Sequence, residues 1–167
     1  MLRFLFPRLT DRPARGADLF AAVTREARQP HWYADGGVPD TLDGRFAVLA
    51  TVTALVLVRL ESGGEPGDAA GVALTERFVA VMEAEHRELG LGDPGLGRKV
   101  RKLVSALGRR VESWRAAVAM DDFAGAAVDS LGLAGTGTAS HNVRALHDLW
   151  ARLKALDVAG LADGRLR

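Results

Sequence analysis

The chain has 167 residues, enough for one domain with a sizeable apolar core, so neither a metal nor a disulfide is required to hold it together. It contains no cysteine, which excludes disulfides, thiolate nucleophiles and cysteine-ligated zinc or iron–sulfur centres. Its net charge of +1 conceals a segregation: between residues 61 and 93 eight acids face two arginines, and between 98 and 115 seven bases face one glutamate.

Residues 1–16 read as an N-terminal arm and 17–167 as a single compact domain. In the arm, Leu2, Phe4, Leu5 and Phe6 are interrupted by Arg3, Pro7 and Arg8, and no small-residue cleavage site follows. The pattern does not make a secretory signal, which places the expected location in the cytoplasm, with the inner face of the cytoplasmic membrane as a peripheral alternative. A first helix is expected over 17–27, followed by an aromatic, turn-rich loop over 29–42 in which Trp32, Tyr33 and Val38 would offer accessible apolar area.

At 37–46 the chain reads GVPDTLDGRF. Gly37 and Pro39 punctuate it, and Asp40, Thr41 and Asp43 offer side-chain oxygens to the unpaired N–H groups of a helix start. A helix over 43–61 follows. Its thirteen-residue apolar run at 46–58 lies between Arg45 and Arg59, short of the roughly 20 residues a membrane span needs, and reads as a buried central helix. Residues 62–67 read as a linker, and a third helix is expected over 69–89 with Leu74, Phe78, Val81, Met82 and Leu89 at helical spacing.

The segment HRELGLGDPGLGRK at 86–99 is a second turn running into a helix. Gly90 suits the close of one helix, and Asp93-Pro94 suits the opening of the next. Val100, Leu103, Val104, Leu107, Val111, Trp114 and Val118 then form one apolar stripe. Arg98, Arg101, Lys102 and Arg109 project from the other side, with Lys99 and Arg110 on a flank. Gly108 interrupts this helix, as if to admit a close neighbour. A short helix over 121–131, a loop over 132–138 and a sixth helix over 140–156 complete an all-α pattern of about six helices around a central hydrophobic one.

No chemistry of catalysis emerges. GLGDPG at 90–95 has the glycine spacing of a dinucleotide loop but follows a helix instead of a strand, and Arg98-Lys99 stands where a phosphate loop requires Lys-Ser/Thr. The four histidines, His31, His86, His141 and His147, show no metal-binding spacing, and Asp121-Asp122 suits a helix cap better than acid–base work. An enzyme, a metal or another cofactor is therefore not expected. The bases of the fourth helix form an electrostatic footprint for an anionic partner, either RNA or lipid headgroups.

Capping accounts for part of the two turn segments and leaves Tyr33, Arg45, Arg87, Glu88, Arg98 and Lys99 over. Tyr33 with GVPDTLDGRF, then ME..HRELGLGD.GLGRKV, Gly108-Arg109 and a closing LADGR at 161–165, resembles the ubiquinol–cytochrome c chaperone family across residues 33–165. Val81, Glu83 and His86 depart from the family pattern. The resemblance implies a chaperone that binds newly made cytochrome b during biogenesis of the bc1 complex, with the ribosomal exit region and the membrane surface as further partners and no DNA. It implies partner contacts at Tyr33, Asp40, Thr41, Asp43 and Arg45 and at the Arg87, Glu88 and Asp93 turn; the charge pattern adds the basic face of Arg98, Lys99, Arg101, Lys102 and Arg109. Two other readings remain open: a ribosome-, RNA- or membrane-surface-binding module, and a small-molecule binder using a pocket under the 33–45 loop.

Overall fold

In the computed structural model, residues 16–88, 93–133 and 139–166 are described. Among them there are eight helices and no strand: α1 (Ala17–Ala27), α2 (His31–Ala34), α3 (Leu42–Glu61), α4 (Gly64–Glu88), α5 (Asp93–Met120), α6 (Phe123–Leu131), α7 (Ala139–Ala155) and α8 (Val158–Ala162). The six longer ones correspond to the expected set. Residues 1–15, where the apolar arm is expected, and residues 134–138 of the expected 132–138 loop lie outside the described residues.

The centre is α3, which packs against α1, α4, α5, α6 and α7. From Val48 to Leu60 nearly every side chain is buried, which explains a sequence apolar on all sides. Two buried threonines are accommodated because Thr51 Oγ1 donates to Ala47 O and Thr53 Oγ1 to Leu49 O, each at 2.7 Å. Leu74 and Phe78 of α4, Trp114 of α5, Phe123 of α6, and Leu146, Leu149 and Leu153 of α7 close around it. Each such side chain contributes about 1.5–3 kcal/mol by leaving water.

Residues 62–67 are not a linker. After a two-residue turn the chain re-enters helix at Gly64, which has φ +61°, and Pro66 sits in the first turn, where a missing N–H costs nothing. A Cβ on Gly67 would collide with the Leu60 carbonyl, and one on Gly63 with Val158. These glycines make a tight corner that lays α4 against the end of α3.

The 29–42 segment is also more structured than a loop. Trp32 Nε1 donates to Glu26 O and Tyr33 Oη to Ala27 O, both at 2.9 Å, so side chains of α2 bond carbonyls in the last turn of α1 and fasten the two helices together. Trp32 and Val38 are buried, at 0% and 2% exposure, and offer no accessible apolar area. At the far end, Arg59 donates to Leu153 O and Leu156 O and closes α7. Asp157 caps α8 by accepting from Gly160 N at 2.6 Å. Asp122 occupies the N-cap of α6 without a side-chain cap bond. Asp121 has φ +53°, so the helix begins two residues later than expected.

Candidate partner-binding surfaces

At the 33–45 corner, Thr41 is the N-cap of α3 and its Oγ1 accepts from Gly44 N at 3.2 Å. Gly44 is buried, and a Cβ there would run into Pro39 O. Arg45 Nε donates to Asp40 Oδ1 at 2.6 Å; both side chains are well exposed, at 65% and 60%. The hydrogen bond holds the Asp40 carboxyl below the usual carboxylate range and raises the guanidinium. Asp43 is exposed in the first turn of α3, where a negative charge complements the helix dipole. Burial, then Asp40, pushes the Tyr33 hydroxyl up, against the opposing influence of Arg45 and Arg28. Thr41 and Tyr33 thus hold the corner together, while Asp40, Asp43 and Arg45 stand on open surface instead of at the bottom of a cleft.

Of the second predicted cluster, Glu88 is the exposed last residue of α4. The side chains of His86, Arg87 and Asp93, and residues 89–92 with Gly90, lie outside the described residues.

The basic block of α5 divides into two kinds of residue. Arg98, Lys99, Arg101, Lys102 and Arg109 are all exposed, and no ion pair to any of them occurs among the described residues. From Arg98 to Arg109 they extend about 16 Å along the helix. Arg110 is different: its guanidinium lies 5.7 Å from the centre of the Phe46 ring and donates to Ser130 O at 3.1 Å. Burial, then Arg109, lowers its pKa. Arg115 holds Glu61 through two bonds, at 2.9 and 2.6 Å, and Glu112 at 2.6 Å. Both arginines therefore fasten α5 to its neighbours. The apolar stripe packs as expected except for Val104, which is 37% exposed. Gly108 meets nothing within 4 Å, so it admits no close neighbour.

Sequence reasoning missed a groove of about 820 Å3 between α4, the end of α3 and α5. Leu57, Val72, Val79 and Val111 give it an apolar lining, and Asp68, Glu76 and Glu83 place carboxylates along it. Its α4 residues recur at helical spacing on a face turned roughly 100° from the Leu74–Phe78–Met82 core stripe. Val72 and Val79, off that stripe, were the available signal.

A second unforeseen contact joins His31 and His141, with Nδ1 and Nε2 3.2 Å apart. Their separation of 110 positions hides the contact from any spacing rule. Burial, then His141, lowers the His31 pKa. Among the described residues no group of three or more His, Asp or Glu side chains is placed to hold a metal, and no helix is long and apolar enough to cross a membrane.

A crystal structure of the Cbp3 homolog from Brucella abortus is similar to this chain with a TM-score of 0.77 and 26% sequence identity, over 98% of this chain and 94% of that one. No curated protein matches significantly. The model of the ubiquinol–cytochrome c chaperone family matches residues 34–166, a stretch that takes in the Asp40–Arg45 corner, the basic helix, the groove and the closing LADGR turn. The chain belongs to the ubiquinol–cytochrome c chaperone family.

Proposed function

We propose that this protein binds newly made cytochrome b and releases it into the growing bc1 complex, by reversible association without bond chemistry. The observation that carries the reading is the family match across residues 34–166, which takes in α3 to α8. The surface supports it: Asp40, Asp43 and Arg45 present charge on an open face, a form suited to a protein partner and not to an enclosed small molecule. The five exposed bases of α5 supply attraction to an anionic surface where a nascent membrane protein emerges, either phospholipid headgroups or ribosomal RNA.

A photo-reactive residue in place of the exposed Asp43, in cells expressing their own bc1 complex, tests the reading. Capture of cytochrome b, together with loss of the complex on deletion of the gene, is expected. Capture of ribosomal proteins alone, with the complex intact after deletion, would instead favour a ribosome-binding module, the reading for which the basic face speaks; its signature is RNA binding that falls steeply with salt.

A further inference from the structure

We propose that the groove between α4, the end of α3 and α5 is the docking site for an amphipathic helical segment of a membrane-protein client, apolar along one face and flanked by Lys or Arg. The proposal rests on the chaperone reading and names the client chemistry that this surface fits.

Among the described residues, the α4 side of the groove is a helix face without a partner. Asp68, Val72, Thr75, Val79 and Glu83 recur at intervals of three and four, and from Asp68 to Glu83 the face extends about 22 Å. That is the length of a four-turn helix. Val72 is 59% exposed, unusual for a valine within an apolar patch of a folded domain. Gly71 and Ala80, also on the lining, are small and let a second backbone come close. In helix-in-groove recognition an amphipathic helix with apolar anchors at i, i+3, i+4 and i+7 lays its apolar face into such a groove.

Charge selects among possible occupants. Among the described residues, Asp68, Glu76 and Glu83 have no ion-pair partner and no basic residue lines the groove. Glu61 at one end is already engaged by Arg115. An acidic segment would be repelled, and an uncharged one would leave the carboxylates without compensation. A segment with basic flanks satisfies both the lining and the carboxylates. Segments of membrane proteins that face the cytoplasm carry this bias toward Lys and Arg beside their apolar stretches.

The test uses the full chain and a fluorescein-labelled 18-residue helical peptide, Leu/Ala on one face with two Lys or Arg at each end, read by fluorescence anisotropy. The comparison peptide carries Glu in place of each base. The basic peptide is expected to bind at least tenfold more tightly, with the preference weakening as salt rises. Asp68→Lys/Glu76→Lys/Glu83→Lys should reverse the preference, and Val72→Lys should weaken the basic peptide at least tenfold. Charge reversal of Arg98, Arg101, Lys102 and Arg109 should not weaken it. Circular dichroism establishes that each variant keeps its helices. Equal binding of the two peptides, or an unchanged preference in the triple variant, overturns the proposal. So does a photo-reactive residue at Val72 that crosslinks only to this chain, in cis or from a second copy, and is not displaced by the basic peptide. In cells, failure of the triple-lysine variant to restore bc1 assembly to a deletion strain supports the groove as the client site, and full restoration overturns it. A deletion strain that assembles the complex normally would instead sink the chaperone reading and leave the peptide result standing.

Discussion

Removing one oxygen atom from Ser130 tests how α5 is fastened to α6. Trp114 is fully buried, and its indole Nε1 donates to Ser130 Oγ at 3.0 Å in a pocket shared with Phe123, whose ring centre is 5.3 Å away. Ser130→Ala leaves that donor buried with nothing to bond, at a cost of about 1–3 kcal/mol. Alanine returns about 0.5 kcal/mol through its better helix propensity. The net loss of about 1–2 kcal/mol lowers Tm by roughly 2–8 °C in a protein of this size. Urea denaturation should show a lower midpoint with an unchanged slope, because the surface exposed on unfolding is the same. The decisive comparison is made in a Trp114→Phe background, where no N–H remains to be stranded. There Ser130→Ala should be neutral or slightly stabilising, which gives a coupling of about 1 kcal/mol or more between the two positions. Equal cost in both backgrounds would refute the buried hydrogen bond as the source of the effect.

Four further outcomes are expected. Because burial and His141 hold the folded-state pKa of His31 below its ordinary value near 6.5, the unfolded chain binds more protons as pH falls through that value. Stability should therefore decline on acidification from about pH 7 toward the lowered folded-state pKa, against the opposing pull of Glu26 and Asp35. His31→Gln should flatten the Tm–pH profile, and an unaltered slope would assign the decline elsewhere. Gly67→Ala, which drives a Cβ into Leu60 O, should destabilise by about 1–3 kcal/mol. Gly108→Ala, with open space around it inside α5, should stabilise by about 0.5–1 kcal/mol; thermal unfolding reads both signs. Changing Arg98, Arg101, Lys102 and Arg109 together to glutamate should leave the far-ultraviolet circular dichroism unchanged and abolish sedimentation with anionic vesicles and ribosomes, whereas unchanged sedimentation would remove the basic face from the mechanism.

The sequence by itself determined those features that depend on neighbours within a few turns. The α5 stripe through Leu107 and Trp114 was legible because 3.6-residue periodicity is a local property, and the Thr41 cap because its partner is three residues away. The unbroken apolar run of α3 announced a central helix, since only burial on all sides tolerates such a composition. The GVPDTLDGRF and LADGR segments disclosed the family because they carry more polar detail than capping demands.

Tertiary structure decided which exposed-looking groups were already spoken for. Lys99 and Arg110 share a flank in the sequence, yet one is exposed and the other lies over Phe46; the difference is made by Phe46 of α3 and Ser130 of α6, which pack beside Arg110. Trp32 turned inward because the fold buries its ring completely while its indole N–H reaches Glu26 O, and the Tyr33 hydroxyl reaches Ala27 O beside it. Gly63 and Gly67 read as linker residues until the end of α3 and Val158 arrived at their Cα atoms. The groove, likewise, belongs to no single segment. Val72 and Val79 become an uncovered apolar face only once Leu57 and Val111 are set beside them, because local periodicity specifies the faces of a helix while packing alone decides which of them is left open.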